Sequence, residues 1–417
     1  MKFKVNANWL LNELNPVIPV ATKNVLREFS NANKIEINVT DTSLKFIAFG
    51  GLVSITKTIE NDSEDSYEFI EEGKVTIDAL SLIDALGSFG ISRNVVFSIS
   101  NVDVENNTGL LRIELDTDSE QYQSISVFMD EIKLPSQIDD LKYNFKINRK
   151  LLIQAMKNIS FAVGFEKDFK EFFYWRITTD KDQVRFLSGT NGRFAINTFC
   201  GSNIIESDSK VNVLLHKDTI KILSECLSFI EDETIEFTVF ESKTTRQTSI
   251  KCKDYDIVIV DYDSEINLDY VNEEKILNTN PEARLTVSKI DLDSAIKGIN
   301  AASDKNSLVS VDVNIDTVKK ILSTKIDSQL KSNRKVQIQD LESQVDNIDF
   351  SCCAPYISEI SKSYPKDSEF LQINYLGNLK PIIVFAYADK TIRSNNDLFN
   401  DKNIKEQFVV FFAPLVD

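Results

Sequence analysis

Few side chains in this sequence could do covalent chemistry. It holds a single histidine, His216, in the run VNVLLHKDTIKIL, where a strand-like segment gives way to a helical one and no serine or cysteine elbow lies nearby. A nucleophilic triad resting on imidazole would have to be built on this one residue. The five cysteines, Cys200, Cys226, Cys252, Cys352 and Cys353, are an odd set without a C-x-x-C pair. They read as buried, reduced thiols rather than a disulfide framework, and adjacent Cys352 and Cys353 are badly placed to bridge each other. H-E-x-x-H, the P-loop and G-x-G-x-x-G are missing, and only 12 glycines are available for phosphate-cradling loops. Carboxylate pairs are common among 64 Asp+Glu, yet no spacing singles one out as an acid/base pair. The residues therefore point away from catalysis, and no cofactor or metal is expected.

The elements that carry these residues recur. FKVNANWLLNELNPV from Phe3, FKINRKLLIQAMKNI from Phe145 and LTVSKIDLDSAIKGI from Leu285 share one pattern at offsets of 142 and 140 residues. Each is a short alternating strand, an N-cap candidate (Asn6, Asn148, Ser288) and an amphipathic helix. Apolar residues fall at Leu10, Leu14 and Val17, at Leu152, Met156 and Ile159, and at Leu292, Ile296 and Ile299, so a spacing of four then three marks one buried stripe. A second helical beat follows at Leu82-Ile83-x-x-Leu86, Thr219-Ile220-x-x-Leu223 and Tyr356-Ile357-x-x-Ile360, both offsets being 137. After it come strands rich in β-branched and aromatic residues, NVVFSIS at 94, TIEFTVF at 234 and FLQINYL at 370, then closing strands SISVF, DIVIV and FVVFF. The period is too long for a solenoid and fits three duplicated domains: 1–138, 139–279 and 280–417. The linkers KLPSQIDDLK and NEEKILNTNPEAR are polar and contain proline.

The chain has 417 residues, 47 Lys+Arg and 64 Asp+Glu, for a formal net charge of −17. Its apolar runs are far shorter than the roughly 20 residues a membrane span needs, and the start MKFKVNANW lacks a leader's apolar core. A soluble, cytoplasmic protein is expected. Net acid argues against a protein that simply coats nucleic acid. Residues 1–140 hold 11 basic and 23 acidic side chains, whereas the later thirds are nearly balanced, so a local basic surface remains open there.

In its repeat, its MKFKV start, LSGTNGRFAI at 187–196 and its ending FVVFFAPLVD, the chain resembles the bacterial DNA polymerase III beta subunit, the replicative sliding clamp. Thr190, Asn191, Gly192, Arg193, Phe194 and Ala195 match that family's T-D-G-H-R-L-A-like stretch with the histidine deleted, and Ala413, Pro414 and Leu415 match its tail. The resemblance implies an α+β DNA-clamp fold, three domains each with two helices on antiparallel sheet, closing head to tail as a homodimeric ring around duplex DNA. The implied role is a processivity factor that catalyses nothing and tethers a DNA polymerase, loaded by a clamp loader. The alternatives are a clamp-fold regulator that binds replication proteins without encircling DNA, and a hydrolase with an unrecognised carboxylate pair.

A clamp needs helix faces that meet phosphate without acid. Opposite the stripe of Leu152, Met156 and Ile159, at about 100° per residue, stand Lys150 and Lys157. The equivalents are Ile290 and Lys297 in the last third and Asn8 and Asn15 in the first, with Lys362 opposite Ile357 and Ile360. Asp84 and Glu225 interrupt the pattern, and Lys23 and Arg27 fall where the family places a basic DNA contact. The expected DNA-facing set is Lys23, Arg27, Lys150, Lys157 and Lys297. The family's pocket for partner peptides, carried over by position, would be lined by Phe172, Thr190, Gly192, Phe194, Tyr356, Pro414 and Leu415. The missing histidine, the altered tail and the weakly matching INLDYVNEE imply a changed pocket or none. The ring interface is expected to pair the strand at Tyr122–Phe128 with the region of Ala302 and Ser303.

Overall fold

The structure is a computed structural model and describes residues 1–23, 33–61, 67–90, 93–164, 170–180, 183–190, 192–201, 205–207, 210–261, 273–302, 310–327, 331–388, 390–395, 398 and 405–414. Antiparallel sheet dominates, with the helices α1 (Ala7–Leu14), α2 (Ile18–Thr22), α3 (Ala79–Ser88), α4 (Arg149–Ile159), α5 (Lys217–Phe229), α6 (Glu273–Leu277), α7 (Lys289–Ala302) and α8 (Ala354–Ser363) between strands. No helix among the described residues is long and apolar enough to cross a membrane.

The repeat is built as its residues dictate. Each first-beat strand runs straight into its helix, and the polar residue at the junction caps it. Asn6 Oδ1 accepts the Trp9 N–H at 3.0 Å. Asn148 Oδ1 accepts from the N–H groups of Lys150 and Leu151 at 3.0 and 3.3 Å, and Ser288 Oγ from Asp291 N–H at 3.4 Å. These side chains satisfy donors that a helix start leaves without carbonyls. The stripes are buried, with Leu10, Leu14, Leu152, Met156, Ile159, Ile296 and Ile299 in the core and Leu292 half-buried. The first helix stops at Leu14, sooner than its apolar spacing predicts, because Pro16 has no N–H to continue it. Val17 is buried all the same, held by its own N–H to Leu14 O at 2.8 Å.

The chain forms two compact units. One comprises Met1–Ile153 with Asp218–Glu265, the other Gln154–Lys217 with Ile266–Asp417. In the first, Tyr255–Ile259 of the middle third pairs antiparallel with Val53–Lys57 of the first third, so their sheets run into one another. Beside this ladder Lys57, 4 % exposed, joins Glu13 of α1 at 2.7 Å and Asp254 at 3.3 Å and lies over the Tyr255 ring. The second unit has a twelve-stranded sheet. Its middle and last thirds are joined by Arg193–Phe199 against Glu406–Phe412 in antiparallel register.

Candidate functional site

Helix α4 buries Leu152, Ala155, Met156 and Ile159 and leaves Lys150 and Lys157 exposed, seven residues and nearly two turns apart. On α7, Lys297 is exposed and Ile290, at the position corresponding to Lys150, is 79 % exposed. Asn8 on α1 and Lys362 on α8 are exposed too, while Asn15 is half-buried beyond the end of α1. Asp84 on α3 is exposed. Lys23, at the end of α2, forms an ion pair with Glu225 of α5, so the acid that interrupts the basic pattern is matched by the first basic residue of the predicted set. Arg27 lies outside the described residues.

The expected pocket residues are brought together in part. The turn after the strand Gln183–Gly189 is closed by the Thr190 N–H to Arg193 O at 2.6 Å, and the Gly192 N–H donates to Thr190 Oγ1 at 3.2 Å. Ala413 N–H reaches Gly192 O at 2.8 Å, which sets Pro414 beside this turn. Gly189 is required: a Cβ there would sit 2.0 Å from the Phe194 Cβ. Phe194 stacks on Phe411, ring centroids 4.0 Å apart, within a buried cluster of Leu187, Ile196, Leu277, Leu376 and Leu398. Phe194 is thus a core residue at the edge of the turn, 7 % exposed. Phe172 is buried in the single turn Lys170–Phe173, its carbonyl accepting the Gly164 N–H at 2.8 Å. Its neighbour Phe173 packs edge-on to His216, with Lys217 Nζ 4.1 Å above the ring. The Tyr356 side chain and Leu415 lie outside the described residues. Sequence reasoning missed Leu277 and its half-buried neighbour Ile276, although an apolar pair inside the polar linker NEEKILNTN is a readable signal.

The strands Asp118–Phe128 and Lys331–Ser343 each have a stretch paired by one ladder among the described residues. Asp118–Ser126 pairs with the strand Thr108–Leu115, and only Val127 and Phe128 reach the strand Gly73–Asp78. Lys331–Gln337 pairs with Ile321–Asp327, and only the rest of its strand reaches Ala283–Val287. The first edge exposes Asp118, Glu120 and Tyr122, whose ring lies 3.9 Å from the Arg112 guanidinium. The second exposes Arg334 and Lys335, with Arg334 lying against Gly298 of α7. Ser303 and the Ala302 side chain lie outside the described residues.

Residues 1–126 match the family model described as DNA polymerase III beta subunit, N-terminal domain. No curated protein matches the chain. Among solved structures, the DNA polymerase sliding clamp from Bacillus subtilis is similar at a TM-score of 0.78 and 14 % identity, covering 100 % of this chain and 99 % of that one. The beta subunit of DNA polymerase from Streptococcus pyogenes is similar at 0.77 and 16 % identity, and the sliding clamp from Pseudomonas aeruginosa bound to griselimycin at 0.75 and 13 %, each covering 100 % of both chains. The α+β architecture read from the sequence is therefore, from end to end, the fold of the bacterial DNA polymerase III beta sliding clamps, and the first 126 residues match that family's N-terminal domain.

Proposed function

We propose that this protein is a DNA sliding clamp, a processivity factor that encircles duplex DNA and tethers a DNA polymerase in the cytoplasm. The three repeats, 1–138, 139–279 and 280–417, are its domains. The observation that carries the reading is charge segregation: a chain at −17 keeps Lys150 and Lys157 exposed on α4, Lys297 on its repeat-equivalent α7 and Lys362 on the second-beat helix α8. Non-specific phosphate attraction of this kind holds DNA without reading its sequence, which is what sliding needs. Retention is then topological, and a tethered polymerase that dissociates rebinds at high effective concentration. The clamp performs no reaction of its own.

Ring closure is by two copies, head to tail. The edge at Asp118–Ser126 of one copy meets the edge at Lys331–Gln337 of the other, the exposed charged side chains of the two being of opposite sign. This shifts the partner of the Tyr122 strand from Ala302 and Ser303 to the neighbouring strand. A clamp loader opens the ring, and client peptides dock at the turn formed by Thr190, Gly192 and Pro414, with Phe172, Phe194, Tyr356 and Leu415 behind it. Phe194 is packed on Phe411 and 7 % exposed, so it offers a docking peptide little of its own surface.

Retention on nicked circular DNA, measured before and after linearisation, tests the proposal. The protein should stay on the circle and be lost from the linear form, and Lys150→Glu/Lys157→Glu/Lys297→Glu should lower retention at least about tenfold, as three lost phosphate contacts imply. Equal retention on circular and linear DNA would sink the topological reading, and unchanged retention by the triple variant would sink the assigned face.

A further inference from the structure

Under the second half of α4 a single carboxylate gathers four donors. Glu406 Oε2 accepts from Gln154 Nε2 at 2.7 Å and from Tyr387 Oη at 2.8 Å. Its Oε1 accepts from Asn158 Nδ2 and Asn197 Nδ2, both at 3.1 Å. The remaining hydrogen on Asn158 Nδ2 goes to Asn197 Oδ1 at 3.0 Å, and that on Asn197 Nδ2 to Gln407 O at 3.1 Å. Both asparagine amide groups therefore spend both their hydrogens, while Gln154, Tyr387 and Glu406 are half-buried and Tyr387 Oη also lies 3.3 Å from Asp367 Oδ1. Asn158 is 7 % exposed and Asn197 fully buried. Burial pushes the Glu406 carboxyl above the ordinary carboxylate range, while the hydrogen bonds from Tyr387, Asn197 and Gln154 pull the other way. Tyr387 holds its place with φ at +59°, a left-handed conformation unusual for an aromatic residue.

The circuit joins Gln154 and Asn158 of α4 to the strand Arg193–Cys200 of the middle third and to two strands of the last. Two donors four residues apart on one helix face fix that helix in both rotation and translation. Lys157 sits between them in sequence and is exposed. We propose that Glu406 is the positioning residue for Lys157: it holds the second half of α4 so that this lysine faces the DNA. The inference rests on the clamp reading above. An apolar side chain at 406 would fill the space but leave Gln154, Asn158, Asn197 and Tyr387 with stranded donors, a larger loss than the pairings themselves represent.

Amide hydrogen exchange on the full-length protein without DNA gives the first readout. Glu406→Gln replaces one acceptor oxygen by a donor, and residues 154–159 should exchange about tenfold faster while the strands at 34–49 in the other unit stay unchanged. The second readout is the salt dependence of retention on circular DNA. Lys157→Gln should lower the slope by about 0.9 in the parent, as one lost phosphate contact implies, and by nothing further in Glu406→Gln. If Glu406→Gln does not fold, Tyr387→Phe removes a single donor and should accelerate exchange of the same segment more modestly. Unchanged exchange in both Glu406→Gln and Tyr387→Phe overturns the proposal. So does a Lys157→Gln effect of equal size in both backgrounds. If the parent protein holds no circular DNA, the clamp reading and the role of Lys157 fall together, and accelerated exchange would then show only that Glu406 anchors α4.

Discussion

Burial shields four of the five thiols, Cys226, Cys252, Cys352 and Cys353. Cys226 on α5 and Cys252 at a strand end are pushed up to about 12, desolvation being the main cause in both and the carboxylates of Glu225 and Asp232 adding to it. A raised thiol pKa keeps the protonated, unreactive form as pH rises, so at pH 8 neither is appreciably ionised. Cys352 is shifted the same way, with its Sγ 3.6 Å from Val311 O. Iodoacetamide at pH 8 should therefore leave the folded protein with at most one adduct, at Cys200, and the urea-unfolded chain with five. Mass spectrometry of the digest decides, and label on folded Cys226 or Cys252 would contradict the argument. The sequence alone suggested five equally buried thiols; Cys200 differs because it ends its strand and is only half-buried. Glu406 shows the harder limit of single residues. In KNIKEQFVVFF it looks like any surface acid before an apolar strand, and nothing local announces the four donors that meet it.

Helices and strands were far more legible, because their signals are local. A spacing of four then three, preceded by Asn or Ser, predicts both the buried stripe and the residue that starts the helix. Asn6, Asn148 and Ser288 all do so. The cap at α4 has the most to lose, since Asn148 Oδ1 serves two N–H groups there. Asn148→Ala should cost about 1 kcal/mol, read as a lower urea midpoint, whereas Asn148→Asp should be neutral or slightly favourable at a helix start. A midpoint unmoved by the alanine would mean that packing of Leu152 and Met156 alone sets this terminus. The first helix shows where local reading runs out: the apolar period continues through Val17, but Pro16 ends the hydrogen-bond ladder and the burial is achieved by a turn.

At the scale of the whole molecule the sequence suggests repeats but does not show how their strands join. The ladders Val53–Lys57 with Tyr255–Ile259, and Arg193–Phe199 with Glu406–Phe412, connect residues about two hundred positions apart, and each strand reads alone as an ordinary apolar run. The same holds for the two open edges that the proposed ring would join. Arg334→Glu/Lys335→Glu should repel the acidic edge of the partner copy and weaken dimerisation at least about tenfold by sedimentation, and Asp118→Lys/Glu120→Lys in the second copy should recover it. Association unaffected by the first pair would remove this edge from the interface. The lone histidine, seated edge-on against Phe173 and Tyr174, has a consequence on this scale too. Imidazole is the side chain that ordinarily titrates between pH 5 and 8, and His216 is its one example in 417 residues. Glu36 and Glu406, carboxyls that burial holds above their ordinary range, are the acids displaced toward that window. The same scarcity supplies a natural reporter, a single imidazole resonance at the junction of the strand Asn212–His216 with α5.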